Sequence, residues 1–200
     1  MPIKTIVFDL GGVLIDWNPR YLYKNIFDSE EKMEWFLTRV CSPDWNAEQD
    51  GGRSFEAAID ELLPEYPEYK PQIEAYYSRW VEMLGGAIEG TVEILREFHQ
   101  SERHEILALT NWSKQTFPIA LDQFDFLHWF SGILVSGEEN MKKPDLEIYE
   151  LLIKRYGLTP SETLFIDDSH ANIVSAKELG INTIHFRNPE QLRTEIDALT

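Results

Sequence analysis

Three short apolar runs in this chain end in polar residues suited to catalysis. Thr5–Phe8 is followed by Asp9, residues 106–109 by Thr110 and Asn111, and residues 164–166 by Asp167 and Asp168. Three carboxylates drawn to one point repel one another and raise each other's pKa unless a cation sits among them. Few ligands, all of them oxygen, call for a hard divalent cation. Mg²⁺ fits best, because it keeps waters and accepts phosphate oxygens in its remaining positions. No cluster of cysteines or histidines offers zinc a site. Beside such a cation Asp9 acts either as a ligand only or as a nucleophile that forms an aspartyl-phosphate. A transferring phosphoryl group also needs a counter-charge. Lys143, in Met141-Lys142-Lys143-Pro144-Asp145, is the candidate, with Pro144 expected in the first turn of the helix that follows. A Lys-Lys pair ahead of a helix is also what an ordinary solvated loop contains. Thr110 and Asn111, just before an expected helix start at Ser113, are placed to hydrogen-bond phosphate oxygens.

These groups converge only if the runs that carry them lie side by side and point the same way. Five β-type runs, at Thr5–Phe8, 106–109, 133–135, 164–166 and 183–186, alternate in the second half with helical periodicity. Leu146, Tyr149, Ile153 and Tyr156 share one helical face, and Ile173, Ala176 and Leu179 another. Such alternation implies an α/β fold, a Rossmann-like parallel sheet flanked by helices, whose ligands sit beyond the carboxyl ends of the strands.

Residues 17–88 contain no strand-like run. Met33, Phe36, Leu37 and Val40 follow helical spacing, as do Phe55, Ala58, Ile59, Leu62 and Leu63, and again Ile73, Tyr76, Tyr77, Trp80, Val81 and Leu84. The expected division is a catalytic core of 1–16 and 89–200 with an inserted all-helical cap of 17–88, bounded by Asn18-Pro19 and Gly85-Gly86. The alternative is that these helices simply pack onto the sheet. Residues 43–53 read as a substrate-facing loop between cap helices, with Trp45 to stack on a sugar face and Arg53 to reach a second anionic group. The competing reading puts Trp45 in the cap core and pairs Arg53 with a neighbouring acid. His170 is expected near the pocket, at a helix start; Trp17 and Trp112 are expected to line the cleft.

With 18 basic against 35 acidic residues the net charge is −17, which repels nucleic acid and anionic membrane. A small anionic substrate stays admissible, since a metal ion, one lysine and oriented backbone N–H groups reverse the local sign of a cleft. The single cysteine, Cys41, excludes an internal disulfide, and the N-terminal residues do not read as the long apolar segment expected of a signal peptide or a bilayer-spanning run. A cytoplasmic protein is expected.

The order of these residues resembles the haloacid dehalogenase superfamily, in the group with a helical cap. Asp9 stands in "FDLGGVLID", Thr110 in "LALTNWS", Lys143 in "KKPDLEIY" and Asp167-Asp168 in "LFIDDSHANI". The resemblance implies that Asp9 is the nucleophile, that Thr110 binds phosphate, and that Lys143 steadies both. It also implies that Mg²⁺ is held by Asp9, the Gly11 carbonyl and Asp168, with Asp167 nearby. Gly11 stands where phosphatases of that superfamily carry a second aspartate as general acid and base, a role typically worth about 10²–10⁴-fold in rate.

Three readings follow. The first is a phosphatase of small phosphorylated metabolites, similar to bacterial sugar-phosphate phosphatases that share the Asp-Leu-Gly opening. Water, or a cap carboxylate such as Asp16, Asp44, Glu48 or Asp50, then helps with the proton. The second is attack at carbon, as in 2-haloacid dehalogenases or phosphonate hydrolases. The third is a phosphate-binding module without turnover.

Overall fold

The computed structural model describes residues 2–199. In chain order the elements are β1 (Thr5–Phe8), β2 (Ile15–Trp17), α1 (Arg20–Tyr23), α2 (Glu30–Arg39), α3 (Pro43–Asp50), α4 (Phe55–Leu62), α5 (Lys70–Ser78), β3 (Leu84–Ala87) and α6 (Glu89–Ser101). There follow β4 (Glu105–Thr110), α7 (Phe117–Gln123), β5 (Gly132–Val135), α8 (Ser136–Glu139), α9 (Leu146–Tyr156), β6 (Thr163–Asp167), α10 (His170–Glu178), β7 (Asn182–His185) and α11 (Pro189–Asp197).

Five strands form one parallel sheet in the order β5-β4-β1-β6-β7, so the first strand of the chain is the central one. The alternation of side chains along each strand splits the interior in two. Ile6, Phe8, Ala108 and Ile166 point into a cluster that continues through α6, α11 and the helices between β2 and β3. Val7, Leu107, Leu109 and Phe165 point to the opposite face, under Ile148, Tyr149 and Leu152 of α9 and Ile173 of α10. The buried ridge of α9 runs through residues 148, 149 and 152; of the face expected from Leu146, Tyr149, Ile153 and Tyr156, Tyr149 is fully buried, and Ile153 and Tyr156 are partly buried against the cluster.

Register matters most for the chemistry. Phe8 lies level with Ala108 on one side and Ile166 on the other, and the Asp9 N–H donates to the Ile166 carbonyl at 2.8 Å. The strand ends carrying Asp9, Thr110 and Asp167 are thus brought to one edge.

The stretch between β1 and α6 is largely helical, but not wholly. β2 and β3 pair antiparallel, Ile15 with Ala87 and Asp16 with Gly86, and this ribbon carries the chain out to α1–α5 and back. The expectation of no strand in 17–88 is corrected there: Gly85 and Gly86, expected to bound the cap, lie inside strand β3. The substrate-facing loop expected over 43–53 is mostly the helix α3. Ser42 caps it through the Trp45 N–H at 3.1 Å, and Pro43 occupies its first turn. Ser29 and Ser54 cap α2 and α4 in the same way. No helix among the described residues is long and apolar enough to cross a membrane.

Candidate active site

At the carboxyl edge of the sheet, Lys143 is the centre of a buried ionic group. Its ammonium lies 2.9 Å from Asp9 Oδ1 and 2.7 Å from Asp167 Oδ2, and it donates to the Leu109 carbonyl at 2.9 Å. The Lys143 side chain is 1% exposed and that of Asp167 fully buried, so neither is an ordinary surface ion. The loop that delivers Lys143 is held by the side chain of Asn111. Its amide donates to the Lys143 carbonyl at 2.9 Å, and its Oδ1 accepts the Lys143 N–H at 2.8 Å. Asn111 thus positions Lys143, and it also lines the cavity that Asp9 and Asp168 floor, with one amide hydrogen not used by Lys143. Pro144 precedes the helix instead of opening it: α9 begins at Leu146, with Asp145 at its N-cap.

Asn111→Ala removes both bonds. The expected result is a loss of about 1–3 kcal/mol of stability, and a fall in turnover larger than any change in KM, because the displaced group is Lys143. Thermal unfolding and steady-state kinetics on the same preparation check both.

The three acids differ in what they are free to do. Asp9 Oδ1 is held by the Leu10 N–H at 2.7 Å and by Lys143, so its second oxygen is the one left for chemistry. Asp167 is fully engaged. Oδ1 accepts from the Ser169 N–H, Oδ2 from Lys143, and both from the Asn172 amide at 3.0 Å. Asp167 thus orients Lys143 beside the acids that could hold a cation. Asn172 was not foreseen; its signal was its position five residues after Asp167, in the first turn of α10. Asp168 is exposed, and its carboxylate lies against Gly12. That glycine has φ +75°, and a Cβ there would meet Asp168 Oδ2 at 2.5 Å, so only glycine allows the turn after β1 to approach so closely.

Oxygen atoms of Asp9, Asp167 and Asp168 lie within 4.8 Å of one another. Burial pushes the Asp9 carboxyl up to about 8 against the pull of Lys143, with Asp167 and Asp168 adding like-charge repulsion. Burial, then Asp167, also raises Asp168. On the lysine, Asp167 and Asp9 more than offset the effect of burial and hold the ammonium above its usual range. Two carboxyls with no protein cation to spare, all-oxygen donors and a close-turned glycine backbone fit a hard divalent cation at Asp9 and Asp168.

A cavity of about 260 Å³ opens at this edge, lined by Asp9, Gly11, Gly12 and Asp168 at its floor. Trp17, Tyr77, Trp80 and Trp112 line its walls. Thr110 is fully buried at the end of β4, and its hydroxyl has no protein partner. Two expected substrate contacts lie elsewhere. Trp45 is buried in the helical layer, edge-on to Tyr76 with its indole N–H on the Ala58 carbonyl, and Arg53 is committed to Gln49, Glu61 and the Trp45 carbonyl. Trp45 lies on the buried side of α3, and Arg53, three residues past the end of that helix, is taken up by its ion pair and hydrogen bonds. His170 opens α10 and meets the His185 ring edge-on, outside the lining of the cavity.

The comparisons with known proteins agree with this geometry. A sesquiterpene phosphatase from Aspergillus oryzae is 28% identical over 92% of this chain and 89% of its own length. A phosphorylated-carbohydrate phosphatase from Thermotoga maritima is 25% identical over 92% of this chain and 84% of its own. A haloacid dehalogenase family enzyme from Bacteroides thetaiotaomicron, solved with magnesium and inorganic phosphate, superposes with a TM-score of 0.69 at 25% identity, covering 93% of this chain and 95% of that one. The family model for haloacid dehalogenase-like hydrolases matches residues 3–180. With the sheet order, the Asp9–Lys143–Asp167 group and these relatives in agreement, the chain belongs to the haloacid dehalogenase-like hydrolases and is an enzyme.

Proposed function

We propose that the protein is a Mg²⁺-dependent phosphatase of small phosphorylated metabolites, with Asp9 as nucleophile. The observation that carries this reading is the buried Lys143 held between Asp9 and Asp167, beside the unpaired Asp168. One oxygen of Asp9 attacks phosphorus and the bond to the leaving oxygen breaks, giving an aspartyl-phosphate. Water then attacks that phosphorus, releasing inorganic phosphate and restoring the carboxylate. Lys143 and the unpartnered Thr110 hydroxyl meet the charge on the phosphoryl oxygens. Mg²⁺, held by Asp9, Asp168 and the Gly11 backbone, would supply Lewis-acid neutralisation of the same charge. Residues 17–88 act as the cap that encloses the substrate and excludes water.

The walls of the cavity narrow the substrate class. Apart from Lys143, which is paired with Asp9 at the floor, no lysine or arginine among the described residues stands at it, whereas four aromatic rings line it. A neutral leaving group with an apolar face, such as a sugar ring, suits such walls; a second phosphate or a carboxylate does not. A phosphatase of this kind in a cytoplasmic setting is the reading for the whole chain.

A panel of phosphate monoesters assayed with Mg²⁺ tests it. Neutral sugar phosphates are expected to turn over with kcat/KM at least about tenfold above phosphoglycolate or sugar bisphosphates, one tenfold step being about 1.4 kcal/mol of recognition. Chelation is expected to abolish release. No phosphate above an Asp9→Asn control sinks the reading, and chloride release from 2-chloropropionate without metal puts attack at carbon in its place.

A further inference from the structure

Hydrolysis of a phosphate ester moves two protons as well as the phosphoryl group: one onto the leaving oxygen and one off the attacking water. The groups at the sheet edge are already occupied. Asp9 attacks, Asp167 holds Lys143, and Asp168 lies against the Gly12 turn at the cation position. Gly11, in the floor, has no side chain. The carrier must come from elsewhere in the cavity.

Four carboxylates of the helical layer and its ribbon are near enough in sequence to be considered. Asp16 accepts from the Tyr21 hydroxyl at 2.6 Å, Glu48 pairs with Lys142 at 2.6 Å, and Asp44 is exposed. Asp50, the last residue of α3, lines the same cavity as Asp9 and Asp168. Its place is fixed from the sheet side. The Ser136 hydroxyl donates to the Asp50 carbonyl at 2.5 Å and accepts the Trp112 N–H at 2.9 Å, tying the end of α3 to the strand ends. The Asn46 amide donates to Asp50 Oδ2 at 3.3 Å. Burial pushes this carboxyl up to about 7, opposed by Lys142, Lys143 and the Ser113 backbone. The Tyr76 and Tyr77 phenols that also face it are raised by burial and stay neutral. A group poised near neutrality serves as acid and base in turn.

We propose that Asp50, reaching in from the helical layer, is the proton carrier of this active site. Protonated, it gives its proton to the leaving oxygen as the phosphorus–oxygen bond breaks. As carboxylate, it takes a proton from water as that water attacks the aspartyl-phosphate, which leaves Asp9 ionised and Asp50 protonated again. The role rests on the phosphatase reading, and the two are separable by leaving group.

The test compares 4-nitrophenyl phosphate, whose phenolate leaves without a proton, with benzyl phosphate, whose alkoxide does not. Asp50→Asn is expected to lower turnover of benzyl phosphate by about 10²–10⁴-fold. With 4-nitrophenyl phosphate the same variant is expected to release one equivalent of 4-nitrophenolate per site in a burst and then slow, because only the second step now lacks its base. A Cβ at Gly11 meets nothing within 4 Å, so Gly11→Asp in the Asp50→Asn background places a carboxylate in the floor and is expected to recover benzyl phosphate turnover. Equal losses on both esters without a burst, or no loss on either, overturn the role of Asp50. Failure of the wild type on both esters overturns the phosphatase reading itself and the proton carrier with it. Asp50→Glu covers the case in which the amide variant does not fold: a longer, better solvated carboxyl is expected to move the pH profile of kcat to the acid side, and an unmoved profile overturns the proposal.

Discussion

Asp9→Asn is expected to reduce phosphate release on the order of 10⁴–10⁶-fold, the scale on which hydrolases respond to loss of the nucleophile, while leaving the fold at least as stable without metal. The two halves of this expectation have different causes. The amide keeps an oxygen for the Leu10 N–H and for Lys143, so the local geometry survives. The charge it removes is one that the folded chain holds at a disadvantage, since burial lifts the Asp9 carboxyl from 3.8 to about 8. Between those values the folded state binds a proton that the unfolded state has released, so stability falls as pH rises through this window. Wild type in chelator is therefore expected to melt at progressively lower temperature from about pH 4 to pH 8, and Asp9→Asn to show a shallower slope. Added Mg²⁺ should flatten the wild-type slope and leave that of the variant unchanged. Melting curves across pH, with and without Mg²⁺, check this without any substrate.

Lys143→Met is expected to abolish activity and also to cost stability, about 3–5 kcal/mol. Methionine fills much of the same space, so the loss is electrostatic. Asp167, fully buried, loses its ammonium partner, and Asp9 loses the only side chain that opposes its desolvation. In a chain of this size the change corresponds to a melting temperature lower by roughly 10 °C. The deficit should shrink as pH falls from 8 to 5, because protonation of the stranded Asp9 carboxyl relieves it; a deficit that stays constant over that range would assign the loss to packing instead. Denaturant midpoints at several pH values separate the two.

The sheet was legible in the sequence because its strands are buried on both faces. Thr5–Phe8 and residues 106–109 and 164–166 read as apolar runs, and the polar residues that follow them mark the carboxyl edge of the strands Thr5–Phe8, Glu105–Thr110 and Thr163–Asp167. The β2–β3 ribbon was not legible, since Leu84-Gly85-Gly86-Ala87 has little strand propensity and is held by pairing with a segment nearly 70 residues away. The helix α3 was hidden because Pro43-Asp44-Trp45-Asn46-Ala47-Glu48-Gln49-Asp50 has almost no apolar periodicity. Its only local signal was Ser42-Pro43, a cap followed by a proline at the first position. The work of Asn111 was beyond reach for another reason: its partners belong to residue 143, and only the parallel sheet brings the two loops together. Asp50 stood among four candidate acids, and the path of α3 over the cavity singles it out.

The aromatic walls of the cavity give the protein an optical property. Three of its six tryptophans, Trp17, Trp80 and Trp112, line the space that a substrate enters, and Trp80 and Trp112 face each other at 5.6 Å between ring centres. Half of the indole rings therefore stand at the walls of the cavity, where a bound molecule displaces water from them. Titration of phosphate, Mg²⁺ or a non-hydrolysed ester into the unlabelled chain should be readable as a change in fluorescence, so that occupancy of the site is measured independently of turnover.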